Sequence, residues 1–177
     1  MEYIWHGNTP LGRVLLSSDG ENLTGLWFED QKYFGATLEP GAIEKMLPVF
    51  EQTQQWLDLY FDGKCPDFMP PMAPKGSDFR KLVWELLCEI PYGQVTTYGE
   101  IAKTVAGRQN LETMSAQAVG GAVSHNPISV IIPCHRVVGT NGSLTGYAGG
   151  LEKKLKLMAL EKIDAKRFFV PKKGTAL

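Results

Sequence analysis

The sequence predicts an α/β first part followed by a mainly helical second part. Three observations carry this. Short β-branched and aromatic runs parted by turn residues fill residues 3–34, and one helical pattern follows them. Residues 65–77, CPDFMPPMAPKGS, hold four of the chain's 11 prolines and have almost no periodicity, as expected of a linker or an extended crossing segment. Beyond them the apolar residues recur mostly at helical spacing. The domain boundary is placed there, giving residues 1–72 and 73–177. Charge changes sign nearby. Residues 1–76 carry 5 basic and 11 acidic side chains, net −6, and residues 77–177 carry 13 and 8, net +5.

In the first part, Tyr3–His6, Arg13–Ser17 and Leu23–Phe28 read as strands of a small antiparallel sheet. GNTPLG and SDGEN between them are turn chemistry. Ala42–Phe61 reads as a helix with Val49, Thr53, Trp56, Leu57 and Tyr60 on one face, Pro48 either near its first turn or breaking it there, and Gly63 as its stop. Trp56, Tyr60 and Phe61 at helical spacing are core residues on this pattern.

In the second part, Ser77 can cap a helix from Asp78 to about Glu89 that buries Phe79, Leu82, Val83, Leu86 and Leu87, with Cys88 as a packing residue. IPYGQ breaks it. A second helix in TTYGEIAKTVAG is capped by Thr96 or Thr97 and stopped by Gly107. A third, SAQAVGGAVS, runs from Ser115 to Ser124. Gly120 and Gly121 each cost it about 1 kcal/mol relative to alanine. A chain tolerates that where something must approach the backbone closely. Two short helices of this kind read either as a packed hairpin or as a helix-turn-helix.

Asn126–Gly139, NPISVIIPCHRVVG, is the densest stretch. Ile128–Ile132 reads as a buried strand, ended by Pro133, which has no N–H to donate. Cys134 follows, beside His135 and Arg136. On adjacency alone two readings stand. The thiol is a small buried hydrophobe, or it is a nucleophile whose pKa is lowered by nearby positive charge. Residues 139–150, GTNGSLTGYAGG, hold five glycines around Tyr147, and glycine lets the backbone line a pocket closely. A last helix spans Leu151 to about Ile163 with Leu155, Leu157, Met158 and Leu160 inward. Lys153, Lys154, Lys156 and Lys162 read as its solvated face. The basic tail is expected to fray beyond Pro171.

The totals exclude several classes. No run of about 18 apolar residues predicts a membrane span, and MEYIWHGNTP does not read as a secretory signal. Three widely spaced cysteines, Cys65, Cys88 and Cys134, predict neither a disulfide framework nor a zinc site. A reducing cytoplasm, where a free thiol survives, is the expected location.

Taken together, TTYGEIA, AVGGAVSHNP, IPCHRVVG, TGYAGGLEKK and the helix carrying Glu161 resemble the O6-alkylguanine-DNA alkyltransferase (methylated-DNA–protein-cysteine methyltransferase) family. The resemblance is nearly continuous over residues 77–177. Over residues 1–76 it extends to size and element order. It implies a ribonuclease-H-like first domain and a winged helix-turn-helix-like second domain. It also implies transfer of an alkyl group from guanine O6 in DNA to Cys134, once and irreversibly, after the base is flipped, without a cofactor or metal. O4-alkylthymine is a further possible substrate of such a reaction. By that resemblance His135 takes the cysteine proton through a water, Glu161 orients His135, Asn126 braces the segment before the cysteine, and Tyr98 protonates the departing guanine. Gln117, Ala118 and Gly121 lie on the helix that meets double-stranded DNA in the minor groove. Arg136, Val137, Tyr147, Ala148 and Gly149 lie at the substrate. The chain departs from the family pattern at Gln117, where an arginine is usual, and at Ala148, where a serine is known. A monomer is expected, without a membrane partner. Two other functions are compatible with parts of the pattern: a lesion-binding protein without chemistry, and a cysteine hydrolase.

Overall fold

The computed structural model describes residues 1–171, so the expected fraying beyond Pro171 lies outside the described residues. The chain divides into two compact units: Met1–Gly76 with Pro127–Ile131, and Ser77–Asn126 with the chain from Ile132 onward.

The first unit is a sheet with one helix. Strands β1 (Tyr3–Thr9), β2 (Gly12–Ser18) and β3 (Leu23–Phe28) form an antiparallel meander. Its first turn passes through Gly12 at φ 128°, a conformation that suits glycine. The sheet order is β3-β2-β1-β4, and β4 (Ile43–Glu44) runs parallel to β1. The expected all-antiparallel sheet therefore gains one parallel edge. The helix expected from Ala42 instead begins six residues later: α1 is Pro48–Phe61. Pro48 sits in its first turn, and Leu47 before it is held extended at φ −125°, ψ 154°. Proline disfavours helical geometry in the residue preceding it, so the chain stays extended up to that point. Val49, Phe50, Thr53, Trp56, Leu57 and Tyr60 form the buried face of α1, and Trp56 stacks on Tyr60 at 5.2 Å.

Two extended segments dock on β3. Leu23 pairs with the proline-rich segment, its N–H donating to Pro71 O at 2.7 Å and its carbonyl accepting from Ala73 N at 2.8 Å. Leu26 pairs likewise with Pro127 O and Ser129 N. The expected strand Ile128–Ile132 does not form. Of these residues only Ile128 makes a bridge. Ile131 N then donates back to Ser129 O at 2.8 Å around Val130 at φ 70°, which is a γ-turn. A β-branched residue at positive φ is strained, and such strain persists only where the surroundings enforce it. Ser129 Oγ donates to Gln31 Oε1 at 2.9 Å, fixing the turn from one side.

The second unit is helical. Helices α2 (Asp78–Cys88), α3 (Tyr98–Arg108) and α4 (Ala116–Ser124) each begin at a hydroxyl cap: Ser77, Thr97 and Ser115. Trp84 of α2 is buried and donates through Nε1 to Ala122 O at 2.9 Å, which ties α2 to α4. Cys88 is exposed at the end of α2 rather than packed. Two-residue strands β5 (Thr96–Thr97) and β6 (Val137–Val138) pair in parallel. Helix α5 (Leu151–Leu160) packs Met158 with Val138, Leu144 and Ile163. Lys154 of α5, expected on the solvated face, is 1 % exposed. No helix among the described residues is long and apolar enough to cross a membrane.

Candidate active site

Cys134 owes its place to two backbone devices. Pro133, at φ −81° and ψ 65°, closes an inverse γ-turn in which Cys134 N donates to Ile132 O at 2.8 Å. Cys134–Arg136 then form one turn of 3-10 helix. The turn is buried, with Cys134 4 % exposed and His135 0 %. Asn126, two residues beyond α4, reaches the same point. Its Nδ2 donates to Ile132 O at 2.8 Å and to Cys134 Sγ at 3.2 Å.

His135 and Arg136 share one carboxylate. His135 Nε2 lies 2.5 Å from Glu161 Oε2, and Arg136 Nε donates to Glu161 Oε1 at 2.7 Å. Gly93 N also donates to Glu161 Oε1 at 2.9 Å. Burial alone would push the Glu161 carboxyl up. The bonds from His135, Arg136 and Gly93 outweigh it and hold the group at about 2. A carboxylate so committed fixes the imidazole ring through Nε2. Burial pushes His135 down, against the pull of Glu161 in the other direction.

Arg136 faces inward. Besides Glu161 it binds Ile90 O through NH1 at 2.8 Å, and its guanidinium lies 5.7 Å from the centre of the Tyr92 ring. Val137 is also buried, and its carbonyl accepts from Lys154 Nζ at 2.6 Å. Arg136, expected at the substrate, thus spends these groups on the internal framework, whereas the Val137 carbonyl takes one donor and has a second lone pair.

Cys134 differs from its expectation as well. Burial pushes the thiol up, and the Asn126 hydrogen bond and the Lys154 charge pull it down only in part. The surroundings of the sulfur thus favour the thiol over the thiolate.

The other wall is aromatic and glycine-rich. Tyr98 opens α3 and its phenol donates to Thr145 O at 2.9 Å. Burial pushes this phenol up, and charge on Cys134 would push it further. Tyr147 meets His135 edge-on, with centroids 6.4 Å apart. Glycine is required at position 146, beside Tyr98. It stands at φ 77°, and a Cβ there would lie 2.4 Å from the Tyr98 hydroxyl. Ala148 and Gly149 are half-buried beside Tyr147.

Gln117, Ala118 and Gly121 lie apart from this cluster, on the exposed face of α4. That face is open, and a Cβ on Gly121 would meet nothing within 4 Å. The structure thus gathers Cys134, His135, Glu161, Asn126, Tyr98 and Tyr147, and displays the three α4 residues to solvent. Lys154 is a site neighbour that sequence reasoning missed. Its place in a lysine-rich helix gave no signal of burial.

Comparison with known proteins covers both units. Residues 3–74 match the family model of the 6-O-methylguanine DNA methyltransferase ribonuclease-like domain, and residues 78–163 match that of the 6-O-methylguanine DNA methyltransferase DNA-binding domain. A methylated-DNA–protein-cysteine methyltransferase of Haemophilus influenzae is 41% identical over 162 residues, covering 91% of this chain and 87% of that protein. One from Methanosarcina acetivorans is 42% identical over 154 residues, covering 86% and 94%. Among solved structures, the Mycobacterium tuberculosis O6-methylguanine methyltransferase is similar, with TM-score 0.77 and 34% identity over 98% of this chain and 97% of that one. A Mycobacterium tuberculosis OGT in complex with DNA has TM-score 0.76 and 34% identity, covering 94% of each chain.

Proposed function

The chain belongs to the methylated-DNA–protein-cysteine methyltransferase family, and on that footing we propose that it repairs DNA by direct reversal, moving the alkyl group of O6-alkylguanine onto Cys134. The observation that carries the assignment to Cys134 is its setting. A buried thiol is bonded by Asn126, next in sequence to an imidazole that is itself fixed by a buried carboxylate.

The chemistry follows from the bond to be broken. The alkyl carbon is sp³ and its leaving group is poor unless protonated. Attack therefore needs a thiolate and a proton donor on the far side of the purine. Cys134 gives its proton, through a water, to His135 Nδ1. The sulfur lone pair forms the S–C bond as the C–O6 bond breaks, and the freed electron pair returns to the purine. The Tyr98 phenol supplies the proton that the purine takes up, and the phenolate regains one at the expense of the proton held on His135, so the net transfer is from the thiol to the repaired base. Because burial favours the thiol, transfer depends on His135 taking up its proton. The product is a thioether, which has no carbonyl for water to attack, so each chain acts once.

A base inside a duplex must be rotated out before it can reach this sulfur, at a cost of a few kcal/mol. The small exposed residues of α4 suit close approach to DNA, and we place α3 and α4 as a helix-turn-helix within a winged second domain, meeting the minor groove of double-stranded DNA. Gln117 stands where it can enter the stack, and Tyr147, Ala148 and Gly149 form the pocket wall. Residues 1–72 are assigned to a ribonuclease-H-like domain and 73–177 to the acceptor domain. The chain works as a monomer, in a cytoplasm that keeps its free cysteines reduced.

The test is duplex DNA carrying a labelled O6-methylguanine, mixed with the native chain and with Cys134→Ala. Label is expected on the native chain alone, while both bind the duplex. Binding with no label on either would assign a lesion-binding module. Repeated turnover on esters or amides would assign a hydrolase, which needs an oxyanion hole.

A further inference from the structure

Lys154 is buried on α5, and its Nζ donates to two carbonyls: Val137 O at 2.6 Å, on the strand that follows the nucleophile, and Thr145 O at 2.7 Å. The Thr145 carbonyl also accepts the Tyr98 phenol at 2.9 Å. A carbonyl oxygen has two lone pairs, and here an ammonium takes one and a phenol the other. Two donors on one oxygen compete. The charged donor makes the stronger bond and draws the oxygen's density toward itself, so the phenol is held less firmly than it would be alone. The same ammonium ties the Thr145 peptide to β6, so the phenol's anchor cannot drift from the nucleophile. Burying an ammonium is costly when its bonds go to neutral carbonyls. Burial pushes Lys154 down to about 8, with charge on Cys134 pulling it back up. A packing role alone would be met by methionine at no such cost.

We propose that Lys154 is a positioning residue for the alkyl transfer: by sharing the Thr145 carbonyl with Tyr98 it fixes where the phenol stands and leaves the phenol's proton free to pass to the departing purine. This rests on the reading of Tyr98 as the proton donor. In the step concerned, the O–H bond of Tyr98 breaks as a purine N–H bond forms, the S–C bond forms and the C–O6 bond breaks. The phenolate is then reprotonated, ultimately by the proton that left Cys134.

Two reactions of Cys134 separate this role from others, both read by mass spectrometry of its peptide because Cys65 and Cys88 are exposed. One is single-turnover transfer from O6-methylguanine in duplex DNA, which needs a protonated leaving group. The other is alkylation by iodoacetamide, which does not, since iodide leaves unaided. Removing the Lys154 charge slows both through the sulfur. The ratio of the first rate to the second isolates proton delivery. In Lys154→Met that ratio is expected to fall roughly ten- to a hundredfold, the scale of a misplaced reacting group. Lys154→Gln, which keeps a neutral donor, is expected to fall less and serves if the methionine variant does not fold. In a Tyr98→Phe background, Lys154→Met is expected to leave the ratio unchanged. An unchanged ratio in Lys154→Met or Lys154→Gln, while Tyr98→Phe lowers it, overturns the role of Lys154 alone. An unchanged ratio in Tyr98→Phe overturns Tyr98 as donor, and the role of Lys154 with it.

Discussion

The side-chain amide of Asn126 donates to the sulfur of Cys134 at 3.2 Å while donating to the Ile132 carbonyl at 2.8 Å. One amide thus holds both the Cys134 sulfur and the carbonyl that turns the chain into it. A hydrogen bond to sulfur favours the thiolate over the thiol, and here it works against burial. In Asn126→Ala the Ile132 carbonyl keeps its bond from Cys134 N, so the loss expected in urea unfolding is that of an ordinary hydrogen bond, about 0.5–1.5 kcal/mol. The iodoacetamide rate of Cys134 is expected to shift to higher pH. A native pH profile in the variant would remove Asn126 from the site.

Glu161 sets an acid limit on stability. Its carboxyl is held at about 2 in the folded chain against an ordinary value of 4.5. A depressed carboxyl stabilises the fold above its ordinary value, and that contribution is lost as pH falls from 4.5 toward 2. Urea unfolding at a series of pH values is expected to show stability falling through this window. In Glu161→Gln that part of the slope should be missing. The variant should also be less stable near neutrality by about 3–5 kcal/mol, since Arg136 and His135 lose their buried partner. An equal slope in both proteins would place the acid sensitivity elsewhere.

Helix α4 carries a glycine that its own stability does not favour. A methyl group added at Gly121 would enter open space, with nothing within 4 Å. Gly121→Ala is therefore expected to raise stability by about 0.5–1 kcal/mol in thermal or urea unfolding. Gly121→Leu should keep the fold and weaken binding of duplex DNA by about tenfold, equal to 1.4 kcal/mol. Native affinity in the leucine variant would move the DNA away from this face.

Gln117 stands exposed at the start of the same helix. Arginine there would add a charge toward phosphate, so Gln117→Arg is expected to bind duplex DNA more tightly at low salt, with a salt slope steeper by about 1. Equal affinity and transfer rate across a salt series would show that position 117 does not limit flipping.

Much of this was legible in the sequence because it rests on local chemistry. Ser77, and Thr97 as one of two candidates, announce their helices by their hydroxyls, and each accepts an N–H of its helix, whereas Ser115, read as the first residue of the third helix, is its cap. Turn residues separate the strands of the meander. The misreadings have physical causes. An apolar run such as Ile128–Ile132 reports burial but not pairing, and only Val130 at φ 70° reveals the γ-turn. Pro48 marks either a first turn or a break, and the extended Leu47 before it shows that it starts the helix. Lys154 is invisible locally, since the carbonyls that justify its burial lie 17 and 9 residues away. Likewise His135 and Glu161 are 26 residues apart, and their pairing came from family resemblance rather than from spacing.

Mass spectrometry after incubation with excess duplex carrying O6-methylguanine tests the assignment of the acceptor most directly. One methyl group per chain is expected, on the Cys134 peptide, with the excess lesions left in place. A Cys134 peptide that stays unmodified while lesions disappear, or lesions consumed well beyond the number of chains, would contradict it.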